Sequence, residues 1–279
     1  MELRLATYMC PSLPVELYEL FMSYLEEALV CDATLIYESR AAGPLTDRQD
    51  PFTKNSVDIA FMSPAAWLKM IREKRTEFAE LLPATAVFKH SNNKTGKLGY
   101  YSDIVVHKDG SDHVKTFLDL RGCHWAYSDK DSLSGSVIVL QNLRELGENA
   151  TFFGNTLKSG SHVQTIKMVL EKRAEAGAVD ANALHCMRQT LHDHGADLCV
   201  IESLGPLPPY PIVINSRLPD DIKTKITEAF MAMPRTRLWG ERLLKFGVVD
   251  FATNSMDNYS SATDIVENAK NNVIGVRYY

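Results

Sequence analysis

Apolar and polar residues follow two periods along this chain, and the periods take turns. Leu3 to Tyr8 alternates as a strand does. Pro11 and Pro14 interrupt it. Val15 to Leu29 then places Leu17, Leu20, Phe21, Tyr24 and Leu25 on one helical face, with Glu16, Glu19, Glu26 and Glu27 mostly outside it. Ala33 to Tyr37 reads as a short strand, Glu38 to Ser56 as a long polar segment and Val57 to Met62 as a buried strand. Ser63-Pro64 has the look of an N-cap followed by proline at the first helical position, opening a helix through Trp67 towards Leu82.

The alternation continues. Strands are expected at Pro83 to Lys89, Tyr100 to His107, Trp125 to Tyr127, Ala150 to Phe153, Ala178 to Ala181, Leu198 to Ser203 and Ile212 to Asn215. Helices are expected from Val137 through Leu146, from Val163 through Leu170 with Gly177 as the stop, at Ala183 to His194, at Asp220 to Met233 and near Ala262 to Ala269. Leu204 to Pro211 carries four prolines and reads as a rigid connector. Strands that alternate with helices predict an α/β protein with largely parallel sheets.

The chain is organised around Trp125 to Leu140. A strand gives way to the polar turn Ser128 to Ser132, and Ser132, Ser134 and Gly135 gather where the next helix starts. Free backbone N–H groups and the positive end of the helix dipole point there, so hydroxyls and a glycine open to close approach make a candidate oxyanion cradle. The plainer alternative is that Ser132 or Ser134 only caps the helix. A second helix start, Ser159-Gly160-Ser161-His162, repeats the logic about thirty residues on. His162 adds an N–H donor, with a solvated cap residue as its alternative.

Composition narrows the classes. At 279 residues two domains of ordinary size are expected, and 45% hydrophobic with 23% charged residues is the balance of a soluble globular protein. A net charge of −5 argues against nucleic acid or anionic membrane as partner. No run of 18 apolar residues is present, so membrane insertion is not expected. Met1-Glu2 leads straight into the first strand, so no signal peptide is expected and a cytoplasmic place follows, or a periplasmic or extracellular one if a leader has been removed. Five scattered cysteines without a CxxC fit reduced thiols.

His185, Cys186, His192, His194 and Cys199 do not have zinc-finger spacing, although His185 and His192 are expected on one helical face, and no metal or cofactor is expected. No GxSxG, Walker A, HExxH or dinucleotide fingerprint is present, and no catalytic residue is assigned. Tyr100, Tyr101 and Trp67 are candidates to line a ligand cleft, with core packing as the alternative.

Five stretches, in order, resemble the phosphate, phosphite and phosphonate substrate-binding proteins of ABC transporters. They are VDIAFMSPAAW (Val57 to Trp67), GYYSDIVVHKD (Gly99 to Asp109), FLDLRGCHWAYSDKDSLSG (Phe117 to Gly135), SGSHVQTIKMVLEKRAEAGAVDA (Ser159 to Ala181) and SLGPLPPYPIVINSRLP (Ser203 to Pro219). The resemblance implies a two-lobed type II periplasmic-binding-protein fold, each lobe a mostly parallel sheet flanked by helices, joined by two hinge crossings. Lobe one is expected at 1–99 plus 212–279 and lobe two at 100–211. It implies a binding protein, expected to be a monomer, that holds a small phosphorus oxyanion in the cleft between lobes. An ABC transporter permease is the implied partner if the chain is exported. Ser132, Ser134 and His162 are the implied oxyanion ligands, beside Gly135, with Ser161, Tyr101 and Ser63 as neighbours. Asp180 is a possible amine acceptor, with a structural role as the alternative. Leu133 stands where the family loop usually has threonine, so one hydroxyl donor is missing. Two other readings stay open: a cytosolic enzyme on the same fold with His162 as acid or base, and a repurposed clamp that binds a protein partner.

Overall fold

The computed structural model describes residues 2–94 and 98–260. The helix expected near Ala262 to Ala269 lies outside the described residues. The chain divides into two compact units: among the described residues, 2–89, 98–99 and 208–260 form the first, and 90–94 and 100–207 the second.

Unit one opens with β1 (Glu2–Thr7), α1 (Val15–Leu29), β2 (Asp32–Tyr37), β3 (Ile59–Phe61), α2 (Pro64–Arg72), β4 (Ala79–Leu81) and β5 (Thr85–Phe88). Unit two follows with β6 (Tyr100–His107), β7 (His124–Tyr127), α3 (Ile138–Glu145), β8 (Asn155–Lys158), α4 (His162–Leu170), β9 (Ala176–Asp180), α5 (Ala181–Arg188) and β10 (Leu198–Leu207). The chain returns to unit one for β11 (Ile212–Asn215), α6 (Asp220–Ala232), α7 (Arg237–Leu244) and β12 (Val248–Ala252).

Each unit is built on a five-stranded mixed sheet. In unit one the order is β2-β1-β3-β11-β4, with β1, β2 and β3 parallel and β11 antiparallel to both of its neighbours. β5 and β12 form a separate antiparallel pair. The helical face expected for α1 buries Leu17, Tyr18, Phe21, Tyr24 and Leu25. Phe21 then meets Phe61, Phe230 and Phe251 at centroid distances of 5.4 to 5.7 Å, which suits aromatic edge contacts.

In unit two the order is β10-β6-β9-β7-β8. β9, β7 and β8 run parallel, while β6 is antiparallel to β9 and to β10. One face carries Val105, Ala126 and Val179 against Ile166 and Val169 of α4 and Leu184 of α5. On the other, Trp125 stacks on Phe153 at 4.4 Å beside Phe117. In both sheets four of five strands run one way, so the parallel bias expected from sequence is present with one reversed strand each.

Several local expectations need correction. α2 ends at Arg72 and not near Leu82, because Lys74 takes a left-handed backbone and the chain turns off to pair β4 with β11. Ala150–Phe152 is a single 3-10 turn and not a strand; Asn149 caps it, accepting the Thr151 N–H at 2.9 Å. Gly177 does not stop α4 but lies inside β9, where a Cβ would stand 2.6 Å from Thr165 Cγ2 and 2.9 Å from the Ala126 carbonyl. α5 stops at Arg188, so His192 does not extend the helical face that carries His185. The proline-rich connector is shorter than expected, since β10 runs on through Leu207. Among the described residues no helix is long and apolar enough to cross a membrane.

Candidate functional site

β7, β8 and β9 are parallel neighbours, and each is followed by a helix. Their carboxyl ends therefore share one edge of the unit-two sheet, where the starts of α3, α4 and α5 gather. Ligands of open α/β sheets bind at such edges, where helix N-termini offer unpaired N–H groups. β6 runs the other way, with Ser102 opposite Asp180, so its amino end reaches the same edge.

The turn after β7 is wider than an ordinary helix start. Leu133–Val137 forms a π-helical turn ahead of α3, and the Ser136 and Val137 N–H groups both donate to the Ser132 carbonyl at 3.0 Å. Such turns recur at functional sites. The Ser132 hydroxyl oxygen accepts the Gly135 N–H at 3.0 Å, which leaves its own proton free to donate outward. The Ser136 hydroxyl donates to the Asp129 carbonyl and the Ser102 hydroxyl to the Ser134 carbonyl, both at 2.6 Å, and these bonds hold the turn against itself and against β6.

The second turn is tied to the first. The Ser159 N–H and hydroxyl both reach the Tyr127 carbonyl, at 2.9 and 3.1 Å, and the Gly160 N–H donates to the Ser128 carbonyl at 3.0 Å. Ser161 caps α4, accepting the Gln164 N–H at 3.2 Å.

His162 is where these turns meet. Its ring is buried, 8% exposed. The Asp180 backbone N–H donates to Nδ1 at 3.2 Å, so Nδ1 is an acceptor and the proton of the neutral ring lies on Nε2. Nε2 stands 3.4 Å from both the Ser132 and the Ser134 hydroxyls. Burial lowers the imidazole pKa to about 4, so the ring is neutral near pH 7. Tyr100 hydrogen-bonds the Ser134 side chain, and its pKa is raised, first by burial and then by the charge of Asp180, which keeps the phenol protonated. The result is a neutral cluster of hydroxyls and one imidazole N–H at the start of two helices. It suits a small tetrahedral oxyanion, whose charge is met by donors and helix dipoles.

Ser132, Ser134, Gly135 and His162 are therefore brought together. Ser161 lies one residue away, its hydroxyl used as a cap. Tyr101 is not on the cradle side of β6: Tyr100 and Ser102 meet Ser134, and strand alternation turns Tyr101 to the opposite face, where it stacks on His90 at 4.2 Å. Ser63 belongs to unit one and caps α2, accepting the Ala66 N–H at 3.1 Å. Trp67 is buried in the unit-one core. The Asp180 carboxylate caps α5, accepting the Asn182 N–H at 2.9 Å. Sequence reasoning offered Tyr100, with Tyr101, only as a candidate cleft aromatic and left Ser102 and the Asp180 N–H out of the site. Alternation placed Tyr100 and Ser102 on one face, but the face that meets the cradle depends on strand order.

A family model described as ABC transporter, phosphonate, periplasmic substrate-binding protein matches residues 7–259. No curated protein matches the chain. Among solved structures, the chain is similar to a binding protein component of an ABC phosphonate transporter from Pseudomonas aeruginosa, at TM-score 0.75 and 16% identity over 95% of this chain and 85% of that one. It is similar to PhnD1 from Prochlorococcus marinus in complex with methylphosphonate, at TM-score 0.74 and 14% identity over 96% and 97%. It is also similar to a Xanthomonas citri protein solved with ATP, at TM-score 0.64 and 14% identity over 97% and 98%. At these identities the likeness is one of fold.

Proposed function

This chain belongs to the phosphonate periplasmic substrate-binding protein family of ABC transporters, and on that premise we propose that it binds a small phosphorus oxyanion on the cradle of Ser132, Ser134, Gly135 and His162. The observation that carries the assignment is the fixed tautomer of His162. The Asp180 N–H occupies Nδ1, so Nε2–H is turned to the two serine hydroxyls. Two hydroxyls then stand 3.4 Å from the imidazole N–H donor at Nε2, and a phosphonate, phosphite or phosphate presents three or more oxygens to such donors. The methylphosphonate bound by the Prochlorococcus marinus protein supports a ligand of this size and charge. By the same reading the chain works in the periplasm and passes its ligand to a transporter permease.

The acid–base alternative fits this tautomer less well. A general base needs a free lone pair, and Nδ1 already accepts a backbone N–H while Nε2 carries the proton.

The test is a thermal-shift and calorimetry panel with methylphosphonate, 2-aminoethylphosphonate, phosphite, phosphate and sulfate. A ligand at 100 times its Kd stabilises by about 2.7 kcal/mol, a shift of several degrees for a chain of this length. Stabilisation by a phosphorus oxyanion and not by sulfate is expected, together with its loss in the Ser132→Ala, His162→Ala double variant. Equal affinity in wild type and double variant would remove these residues from the site.

A further inference from the structure

One hydroxyl at the cradle is left without work. Ser128 follows β7, is 4% exposed, and its Oγ is buried with no hydrogen-bond partner among the described residues. The serines around it are all engaged: Ser132 accepts the Gly135 N–H, Ser136 donates to Asp129, Ser159 to Tyr127 and Ser102 to Ser134. Buried polar groups are nearly always paired, because a buried donor without a partner forfeits the hydrogen bond it made to water.

Its position gives the orphan a direction. A Cβ placed on Gly135 would collide with the Ser128 hydroxyl and stand 3.0 Å from the Ser132 hydroxyl. The Ser128 hydroxyl thus packs directly on the Gly135 backbone, an approach a Cβ would forbid, on the side where the Ser132 hydroxyl also lies. The Ser128 carbonyl accepts the Gly160 N–H at 3.0 Å, so the residue stands between the two helix-start turns. Leu133, between Ser132 and Ser134, is 2% exposed and brings no hydroxyl of its own.

We propose that Ser128 is a further ligand-binding residue, whose hydroxyl donates to an oxygen of the bound phosphorus oxyanion beside Ser132. The proposal rests on the oxyanion-binding reading above and adds a donor to it.

Ser128→Ala separates a donor kept for the ligand from a structural hydroxyl, because the two move stability and affinity differently. In the full chain without ligand, Ser128→Ala is expected to melt at the wild-type temperature or higher, since no protein hydrogen bond is lost. Its Kd for methylphosphonate is expected to rise about tenfold or more, the loss of one hydrogen bond to a charged group. Unchanged affinity in Ser128→Ala, with Ser132→Ala weakened, overturns this proposal and leaves the oxyanion site standing. A Ser128→Ala protein that melts lower or does not fold marks a structural hydroxyl and also overturns it. Wild-type protein that binds none of methylphosphonate, phosphite and phosphate overturns both.

Discussion

Ser63 in unit one and Ser132 in unit two hold the same local position. Each follows a buried strand of a five-stranded sheet and opens a helix, and each hydroxyl accepts the N–H three residues on, at 3.1 Å from Ala66 and 3.0 Å from Gly135. What surrounds them differs. Pro64 follows Ser63 and regular helix begins at once. Behind Ser132 the turn widens to π geometry, and an imidazole from a neighbouring turn stands 3.4 Å away. A serine at a helix start becomes a candidate ligand through what the strand order brings beside it, and capping alone does not mark it.

The third residue after each serine offers the strongest way to break this contrast. It is alanine in unit one and glycine in unit two. Gly135→Ala puts a methyl group into the Ser128 hydroxyl and against Ser132, so the turn must open. Methylphosphonate binding is expected to fall more than about a hundredfold, with a fold destabilised by about 1–3 kcal/mol from overpacking. Ala66→Gly, the reverse exchange in unit one, is expected to cost about 1 kcal/mol of helix stability and to leave binding unchanged. Calorimetry and urea unfolding read both quantities. Wild-type affinity in Gly135→Ala would take the oxyanion away from this turn.

The two serine-rich helix starts were legible in the sequence because their signals are local: hydroxyl residues and glycine at the head of an apolar period. The α/β class and most long helices followed from period as well. β4, β8 and β12 were not legible. They are three to five residues long and interrupted by Glu80, by Asn155, Thr156 and Lys158, and by Asp250, so no alternation stands out. The site was legible only in part. Tyr100 and Tyr101 are adjacent and chemically alike, and choosing between them needs the facing of β6 against Ser134. The proton on His162 is set by an N–H eighteen residues further on, which reaches it only because β9 lies beside β7.

Acidity sharpens the contrast next, because the Ser132 turn has an imidazole beside it. Burial holds the folded His162 pKa at about 4, below the ordinary value of 6.5. Above pH 6.5 the ring is neutral in both states and contributes no pH dependence. As pH falls through 6.5 the unfolded chain takes up a proton that the folded ring refuses until about pH 4, so stability is lost across that window. The loss is about 1.4 kcal/mol per pH unit, or about 2 kcal/mol at pH 5. Urea unfolding at pH 7 and pH 5 is expected to show a smaller difference in His162→Gln by that amount. Equal differences in the two proteins would mean that the ring is not held neutral. Bound methylphosphonate, whose charge favours the imidazolium, is expected to shrink the loss in wild type.

The smallest effect separates two serines within unit two. Ser161 and Ser132 each accept one backbone N–H at a helix start, from Gln164 at 3.2 Å and Gly135 at 3.0 Å. Only Ser132 of the two also has the His162 Nε2 within 3.4 Å among the described contacts. Alanine at either position removes a cap worth about 1 kcal/mol, so urea unfolding is expected to record similar losses. Affinity is where they are expected to part: Ser132→Ala is expected to weaken methylphosphonate binding about tenfold, while Ser161→Ala is expected to leave the Kd within about twofold of wild type. If Ser161→Ala weakens binding as much as Ser132→Ala, capping and ligand binding are not separated at the start of α4. The oxyanion then spans both turns, with the Ser161 hydroxyl donating to it while its oxygen holds the Gln164 N–H.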